Sequence, residues 1–491
     1  MGIDRLSSTF ERRSAVALGA VLGLATVAAA LQAEAAAPWA GPELFSALLL
    51  GLVSIPFLIA LSQRRLDLFE PTVVLAGIWL VAYVLPGISI AAGAYPLWNE
   101  WGKRALGDTR PLLASALALS AEFFGAVLIG YYLVPAPAAN QTSHRRLDLG
   151  RMWGWSIAME ATAIFLFGAL IQQLGGPGVL LSSLNDRVRL FSGLNYLGLP
   201  ILCFFSIALL GYAESLNEGR EASPRLIAFM VVAFGINTLN GTKTNLFSFL
   251  LALIIVRHYL TRPVRLATAA SVVVGAAFAA VAYDLFFREY LVSGLVTSLS
   301  LQGSPLDTLR EAWIQFSSNT FVHVPVLMLM VDAIPTTLPF QLGKPYGALL
   351  TMPIPRVLFP AKPPVGTEIF SRALFGDLLD QGTSVPTTLV GEFYMNFGVL
   401  GVLLGGLLVG AGLRLLYRRM LRRRREPTVT PVYALVVATL FPWSRGDTFG
   451  PTVFFLAVCA PLWLLARLSR RASPARPGAA FEGSAGSRDP I

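Results

Sequence analysis

This chain is short of charge. Only 13% of its 491 residues are Asp, Glu, Lys or Arg, against about 25% in a soluble globular domain. Hydrophobic residues make up 55%, and the mean hydropathy is +0.64. Together these exclude an ordinary water-soluble fold. Cysteine is scarcer still. Cys203 and Cys459 are the only two, and both lie inside apolar blocks, where they read as packing residues rather than a disulfide or metal pair. No GxxxxGK[ST] loop, HExxH, CxxC or GxSxG occurs. The phosphate cradle of an ATPase, a zinc-protease helix and a serine-hydrolase elbow are therefore missing, and no cofactor or metal is expected. The alternating polarity of a membrane β-barrel is absent as well.

What the chain does have is apolar blocks of about 17 to 24 residues, long enough to cross a hydrocarbon core of about 30 Å as helices. Twelve are expected, at 14–31, 42–61, 71–91, 111–134, 152–174, 196–213, 225–240, 245–260, 266–286, 394–417, 428–444 and 450–468. The fold class is thus an all-α polytopic integral membrane protein of about 12 transmembrane helices. The first block is longer than a signal-peptide core and is read as a retained span, although AEAAAP follows it. Nine spans form an N-terminal bundle over 1–286. A large loop covers 287–393, three spans cover 394–472, and an Ala, Pro, Gly and Ser-rich tail over 473–491 is expected to be disordered.

The net charge of +10 fits this map better than it fits a nucleic-acid partner. With both termini in the cytoplasm, 25 of the 38 Lys and Arg residues fall on inside segments, as the positive-inside bias requires. The large loop is then periplasmic. Within it, Phe321 to Val331 is an apolar run broken by Pro325 and too short to span, which suits a re-entrant or interfacial piece. The prolines between Pro335 and Pro364 divide the rest into short pieces.

The basic residues that topology does not require carry the chemical signal. Arg187, Arg189, Lys243, Arg288, Arg356, Lys362, Arg372 and Arg445 all fall outside, where Arg can hold a diphosphate through charge-assisted bonds. Lys243 sits in the NGTKTN turn between two spans, with Thr242, Thr244 and Asn245 able to cap the next helix. Among the acids, Glu392 directly precedes a span, which puts its carboxylate at the water–membrane boundary. His323, the only outside histidine, lies between apolar residues and reads as packing more readily than as a base. Gly401 with Gly405 and Gly406 with Gly410 give the small-xxx-small spacing of close helix packing.

The order PRVLFPAKPPVG followed by SVPTTLVGEFYMNFGVLGVLLGG resembles the bacterial oligosaccharide repeat-unit polymerases, the Wzy or O-antigen polymerase family. The GTKTN turn is similar to a small basic turn between paired spans in that family. The resemblance implies a GT-C-like inner-membrane glycosyltransferase with no cofactor. It would extend undecaprenyl-diphosphate-linked oligosaccharide repeat units into a surface polysaccharide on the periplasmic face. Its partners would be those lipid-linked oligosaccharides, membrane lipids, a flippase and a chain-length-regulating co-polymerase. The matching motif residues are Arg356, Lys362, Gly391, Glu392, Tyr394, Asn396 and Gly398. Expected catalytic residues are Glu392, Arg356 and Arg372. Lys243, Arg187, Arg189, Arg288, Lys362, Tyr394, Asn396 and Arg445 are expected to bind substrate. An O-antigen ligase shares the donor, and a lipid-linked oligosaccharide flippase would share the lipid. A transporter predicts two related halves, and no internal repeat is evident.

Overall fold

The computed structural model describes residues 41–62, 66–92, 109–134, 147–182, 194–238, 243–282, 320–352, 354, 358–380 and 384–470. In chain order its main helices are α1 (Pro42–Ser62), α2 (Pro71–Ala91), α3 (Thr109–Leu133), α4 (Leu149–Gln173) and α5 (Tyr196–Asn217). There follow α6 (Pro224–Thr238), α7 (Lys243–Leu260), α8 (Leu266–Ala282), α9 (His323–Ala333), α10 (Lys344–Leu350) and α11 (Gly366–Asp380). The last four are α12 (Leu389–Arg423), α13 (Val429–Ala438), α14 (Leu440–Arg445) and α15 (Phe449–Leu468). The one bridge among the described residues pairs Leu147 with Arg470.

Seven of these helices, α1 to α5, α12 and α15, are long and apolar enough to cross a membrane, and each coincides with an expected span. The shorter α6, α7 and α8 occupy three more. The block 428–444 is divided at Thr439 into α13 and α14. Pro442 explains the division: it brings no N–H to the carbonyl of Ala438, and the Ser248 hydroxyl of α7 donates to that oxygen instead, at 3.3 Å. The block 14–31 lies outside the described residues.

The bundle is built around α3. Of its apolar window 89% is buried, with α12, α1 and α9 packed on it. Small residues let α3 and α12 touch backbone to backbone. A Cβ at Gly406 would lie 2.6 Å from the Phe123 carbonyl oxygen. One at Gly410 would overlap the Val127 carbonyl oxygen, and one at Gly130 that of Leu407. The opposite face of α12 shows Leu400, Leu404 and Leu408 in an exposed stripe, the i, i+4, i+8 pattern of a lipid-facing side.

The helix α12 is not one rod. Phe397 and Gly398 leave the helical region, Gly398 at φ 63° and ψ −153°, a conformation open essentially to glycine alone. The short arm, 389–396, folds back along the long arm, 399–423. The ring of Phe393 covers Gly405 at 2.6 Å from where a Cβ would stand, and the Phe393 carbonyl approaches Gly401 equally closely. Gly401 and Gly405 thus make room for the chain's own reversal rather than for another helix. Helix α9 is also drawn inside. Val324 and Val326 to Met330 are at most 1% exposed, and the Met330 sulfur occupies the space a Gly391 side chain would need. The polar groups freed by the reversal are taken up by the link after α9, where the Gln341 N–H donates to the Met395 carbonyl at 2.9 Å and Leu342 N–H to Asn396 carbonyl at 3.1 Å.

The arginine-rich end of the bundle, which carries Arg418, Arg419 and Arg422 to Arg425, is tied together by Asp67. Its Oδ2 accepts from Tyr259 at 2.7 Å and Tyr417 at 2.8 Å. Its Oδ1 accepts from the Phe69 N–H at 3.0 Å. His258 Nδ1 accepts from the Val264 N–H, which leaves Nε2–H to face Asp67 Oδ1 at 3.4 Å. Burial opposes ionisation of Asp67, but the bonds from His258, Tyr259, Tyr417 and Phe69 outweigh it and hold the carboxyl below its usual value. Asp67→Ala should therefore lower stability in detergent by about 3 kcal/mol, the loss of several bonds to a charged acceptor. Because the folded-state pKa is depressed, this contribution is present above the ordinary carboxylate pKa of about 4 and fades as pH falls through the folded value. Thermal melts of wild type and variant from pH 7 downward should converge in acid; a constant gap would refute the ionic account.

Candidate functional site at the link between the last two helices

Five polar and small residues, Ser444 to Thr448, cover the end of α14 and the link from it to α15. Each flanking side chain in this link bonds to a different part of the large loop. Ser444 Oγ is 3.2 Å from His323 Nε2, at the start of α9. Asp447 Oδ2 accepts from the Thr367 N–H of α11 at 3.2 Å, and its Oδ1 accepts from Gly450 N–H at 3.2 Å. One carboxylate thus serves the first turns of two helices. Thr448 donates its N–H, at 2.7 Å, and its hydroxyl, at 2.5 Å, to Glu392 Oε2 on the short arm of α12. Arg445 lies at the middle of these anchors, half-buried.

The geometry corrects the expected position of Glu392. The sequence places it at a water boundary, at the head of a straight span. Because α12 reverses at Gly398, Glu392 is 2% exposed and packed one to two turns in from the bend. Its Oε1 faces Gly366, 3.5 Å from where a Cβ would stand. The Tyr346 hydroxyl of α10 lies beside Glu392 and Asn396 without the geometry of a hydrogen bond. Burial, then the neighbouring Glu392, pushes the Tyr346 phenol above its usual value, so it stays a proton donor.

The other expected residues divide into three groups. Asn396 is a clamp: its Nδ2 donates to the Glu392 carbonyl at 2.8 Å, and its Oδ1 accepts from the Gly343 N–H at 2.9 Å. Tyr394 is 7% exposed and meets Phe340 edge to face at 6.2 Å. Lys362 donates to the carbonyls of Met352 and Ile354 at 3.2 and 3.3 Å and lies 5.9 Å over the Phe449 ring at the start of α15. Arg372 stands apart on the exposed flank of α11, paired with Glu368 at 3.5 Å. Lys243 opens α7; its side chain, and Arg356, Arg187, Arg189 and Arg288, lie outside what is described. Both cysteines are free, and the described residues contain no cluster of metal-ligating side chains.

His323 is fully buried, edge to face with Tyr83 at 5.2 Å. Burial, and next the charge of Arg445, push its imidazole down to about 3, so it is neutral at any physiological pH. Thr388, the residue capping the short arm, has φ 59°, a costly conformation for a β-branched residue. Its hydroxyl accepts from the Gly391 N–H at 3.1 Å. Ser444, Thr448, Tyr346 and Tyr83 were not singled out by the sequence. For Ser444 and Thr448 the available signal was the unbroken polar run SRGDT between two apolar blocks; Tyr346 and Tyr83 had none.

Arg445 brings a positive charge beside the neutral imidazole of His323, on a link bonded through Thr448 to Glu392. The span from residue 201 to residue 470 matches the sequence model of the family described as O-antigen polysaccharide polymerase Wzy. No curated protein and no solved structure matches the chain. The matched region covers more than half of the 491 residues and includes every anchor of the 444–448 link, so the chain belongs to the O-antigen polysaccharide polymerase Wzy family.

Proposed function

We propose that this chain polymerises undecaprenyl-diphosphate-linked oligosaccharide repeat units on the periplasmic face of the inner membrane. The observation that carries the reading is Arg445, an arginine held half-buried on a link whose neighbours are bonded to α9, α11 and the short arm of α12. A guanidinium in such a partly dry site stabilises charge far better than one in water. The charge to be stabilised is that of a lipid diphosphate leaving group. The acceptor hydroxyl oxygen attacks the anomeric carbon of the donor chain, and a new glycosidic bond forms. The bond from that carbon to the diphosphate oxygen breaks, and the diphosphate departs with the electron pair. The hydroxyl proton passes to Glu392 Oε1, the oxygen that Thr448 does not engage. No nucleotide or metal is needed for this balance. Arg356, Arg372 and Lys243 are proposed as further contacts of the donor as it approaches.

The test is reconstitution of the purified protein into vesicles with lipid-diphosphate repeat units. A ladder of lengthening chains is expected. Transfer of a single block onto a lipid A-core acceptor, without a ladder, would indicate a ligase. Movement across the bilayer without bond formation would indicate a flippase.

A further inference from the structure

The bend of α12 carries an apolar cap drawn from two parts of the chain. The Phe340 ring lies 3.5 Å from where a Gly398 Cβ would stand, and it meets Tyr394 of the short arm edge to face. In return the tip of the Phe397 ring lies 3.4 Å from where a Gly343 Cβ would stand. Leu342 is fixed between these contacts by its N–H, which donates to the Asn396 carbonyl at 3.1 Å. The link after α9 and the bend are thus locked together, yet much of their apolar surface faces outward. Phe340 is 38% exposed, Phe397 48% and Leu342 74%. Leu342 also holds φ at 48°, a backbone conformation unfavourable for leucine.

Water does not account for this arrangement. A left-handed position open to water is where Gly, Asn or Asp belongs, and apolar side chains gain nothing there. The cap is also continuous with a surface already turned to lipid. Phe397 Cβ comes within 2.7 Å of where a Gly401 Cβ would stand, beside Leu400, the first residue of the exposed stripe that runs on through Leu404 and Leu408.

The length of the long arm gives the depth. Arg419 is exposed near its far end, where a guanidinium belongs at the headgroups. Nineteen residues at a helical rise put Leu400 about 28 Å from Arg419, close to the full hydrocarbon thickness of about 30 Å. The cap beside Leu400 therefore falls at the hydrocarbon edge of the opposite leaflet. Lys344, exposed at the start of α10, supplies a charge at its rim, as interfacial apolar patches commonly carry.

We propose that Phe340, Leu342 and Phe397 insert into the bilayer, their partner being the acyl chains of the leaflet opposite the arginine-rich end. The link between α9 and α10 is then a membrane anchor rather than a free loop. It also fixes the depth of the short arm: Phe393, whose ring covers Gly405, is held about 10 Å below the bend, seven helical residues from Gly398. The proposal is independent of the reaction that the 444–448 link serves.

The test reads depth. Leu342→Cys, Leu404→Cys and, as a water reference in the α5–α6 link, Glu221→Cys are each labelled with bimane. They are placed in nanodiscs of phosphatidylethanolamine and phosphatidylglycerol, and quenching by nitroxide lipids is compared with quenching by aqueous iodide. The unmodified chain gives the contribution of Cys203 and Cys459, which is subtracted. The label at position 342 should be quenched at least about twofold more by a nitroxide near the acyl carbonyls than by iodide, as for a group at the headgroup–acyl boundary. The label at 404 should respond most to a nitroxide deep in the chains, and that at 221 to iodide alone. Iodide prevailing at 342 would put the cap in water, and protection from both quenchers would mean that protein covers it; either result overturns the proposal. Should Leu342→Cys fail to fold, photoreactive acyl chains decide on the unmodified protein. Adducts on Phe340, Leu342 and Phe397 support insertion, and adducts on Leu404 and Leu408 without them overturn it.

Discussion

Replacing Arg445 by alanine should lower chain extension about 100-fold or more, the usual cost of removing a preorganised donor to a developing oxyanion, while the protein remains folded in the membrane. The two expectations are compatible because the link does not depend on the arginine for its shape. Ser444, Asp447 and Thr448 fix it through His323, Thr367 and Glu392. Arg445→Lys should recover only part of the activity, since an ammonium keeps the charge but not the planar fork that pairs with phosphate oxygens. The assay is the length distribution of lipid-linked polymer in vesicles, with melting temperature and membrane abundance read on the same preparations. Wild-type ladders from Arg445→Ala would remove the diphosphate from this link. Equal loss of activity and abundance would make the residue structural.

Gly410→Val should largely abolish accumulation of folded protein. The built Cβ at Gly410 overlaps the carbonyl oxygen of Val127, and it lies 2.9 Å from the Tyr131 nitrogen. These are backbone atoms in the middle of the most enclosed span, so no side chain can swing away to make room. The two helices would have to separate along their length, and a cost of at least about 4 kcal/mol is expected for overpacking of this kind. Gly412 on the same helix has nothing within 4 Å of its Cβ position, so Gly412→Val should accumulate normally. Comparing both variants by fluorescence-detected size exclusion tests the packing claim. A monodisperse Gly410→Val peak of wild-type height would contradict it.

Much of the fold is legible in the chain because a bilayer leaves few solutions. Apolar blocks of spanning length must be helical, since no water is present to satisfy backbone groups. The seven long helices accordingly lie where hydropathy alone puts them. The break at Gly398 was not legible. A glycine inside an apolar block is equally compatible with close packing, which is what Gly406 and Gly410 do, and with a left-handed turn, which is what Gly398 does. Local sequence does not separate these, because the choice is made by the partner: the Phe123–Val127 backbone against Gly406 and Gly410 in one case, and the Phe340 ring beside Gly398 in the other. The burial of α9 was hidden for a similar reason. An eleven-residue, mostly apolar helix fits an interfacial piece as well as a re-entrant one until α3 and the short arm of α12 are present to cover it.

The candidate site shows the same division. Composition, absent motifs and arginines beyond those the expected topology requires pointed to Arg445, and the position of Glu392 at the head of a span marked it as worth placing. Their relation was invisible, because Tyr83, His323, Glu392 and Ser444 are separated by long stretches of chain and meet only through tertiary packing. By itself the sequence determined that this is a helical membrane protein with a proline-rich stretch before its last spans and a family motif ending in a glycine-rich helix, since hydrophobic length and backbone satisfaction are local requirements. Only the tertiary structure decided that the motif's short arm turns back into the bundle, that Glu392 is bonded to Thr448 rather than facing water, and that a neutral imidazole lies beside Arg445. Those outcomes depend on which distant groups complete each hydrogen bond, and a linear pattern does not contain that information.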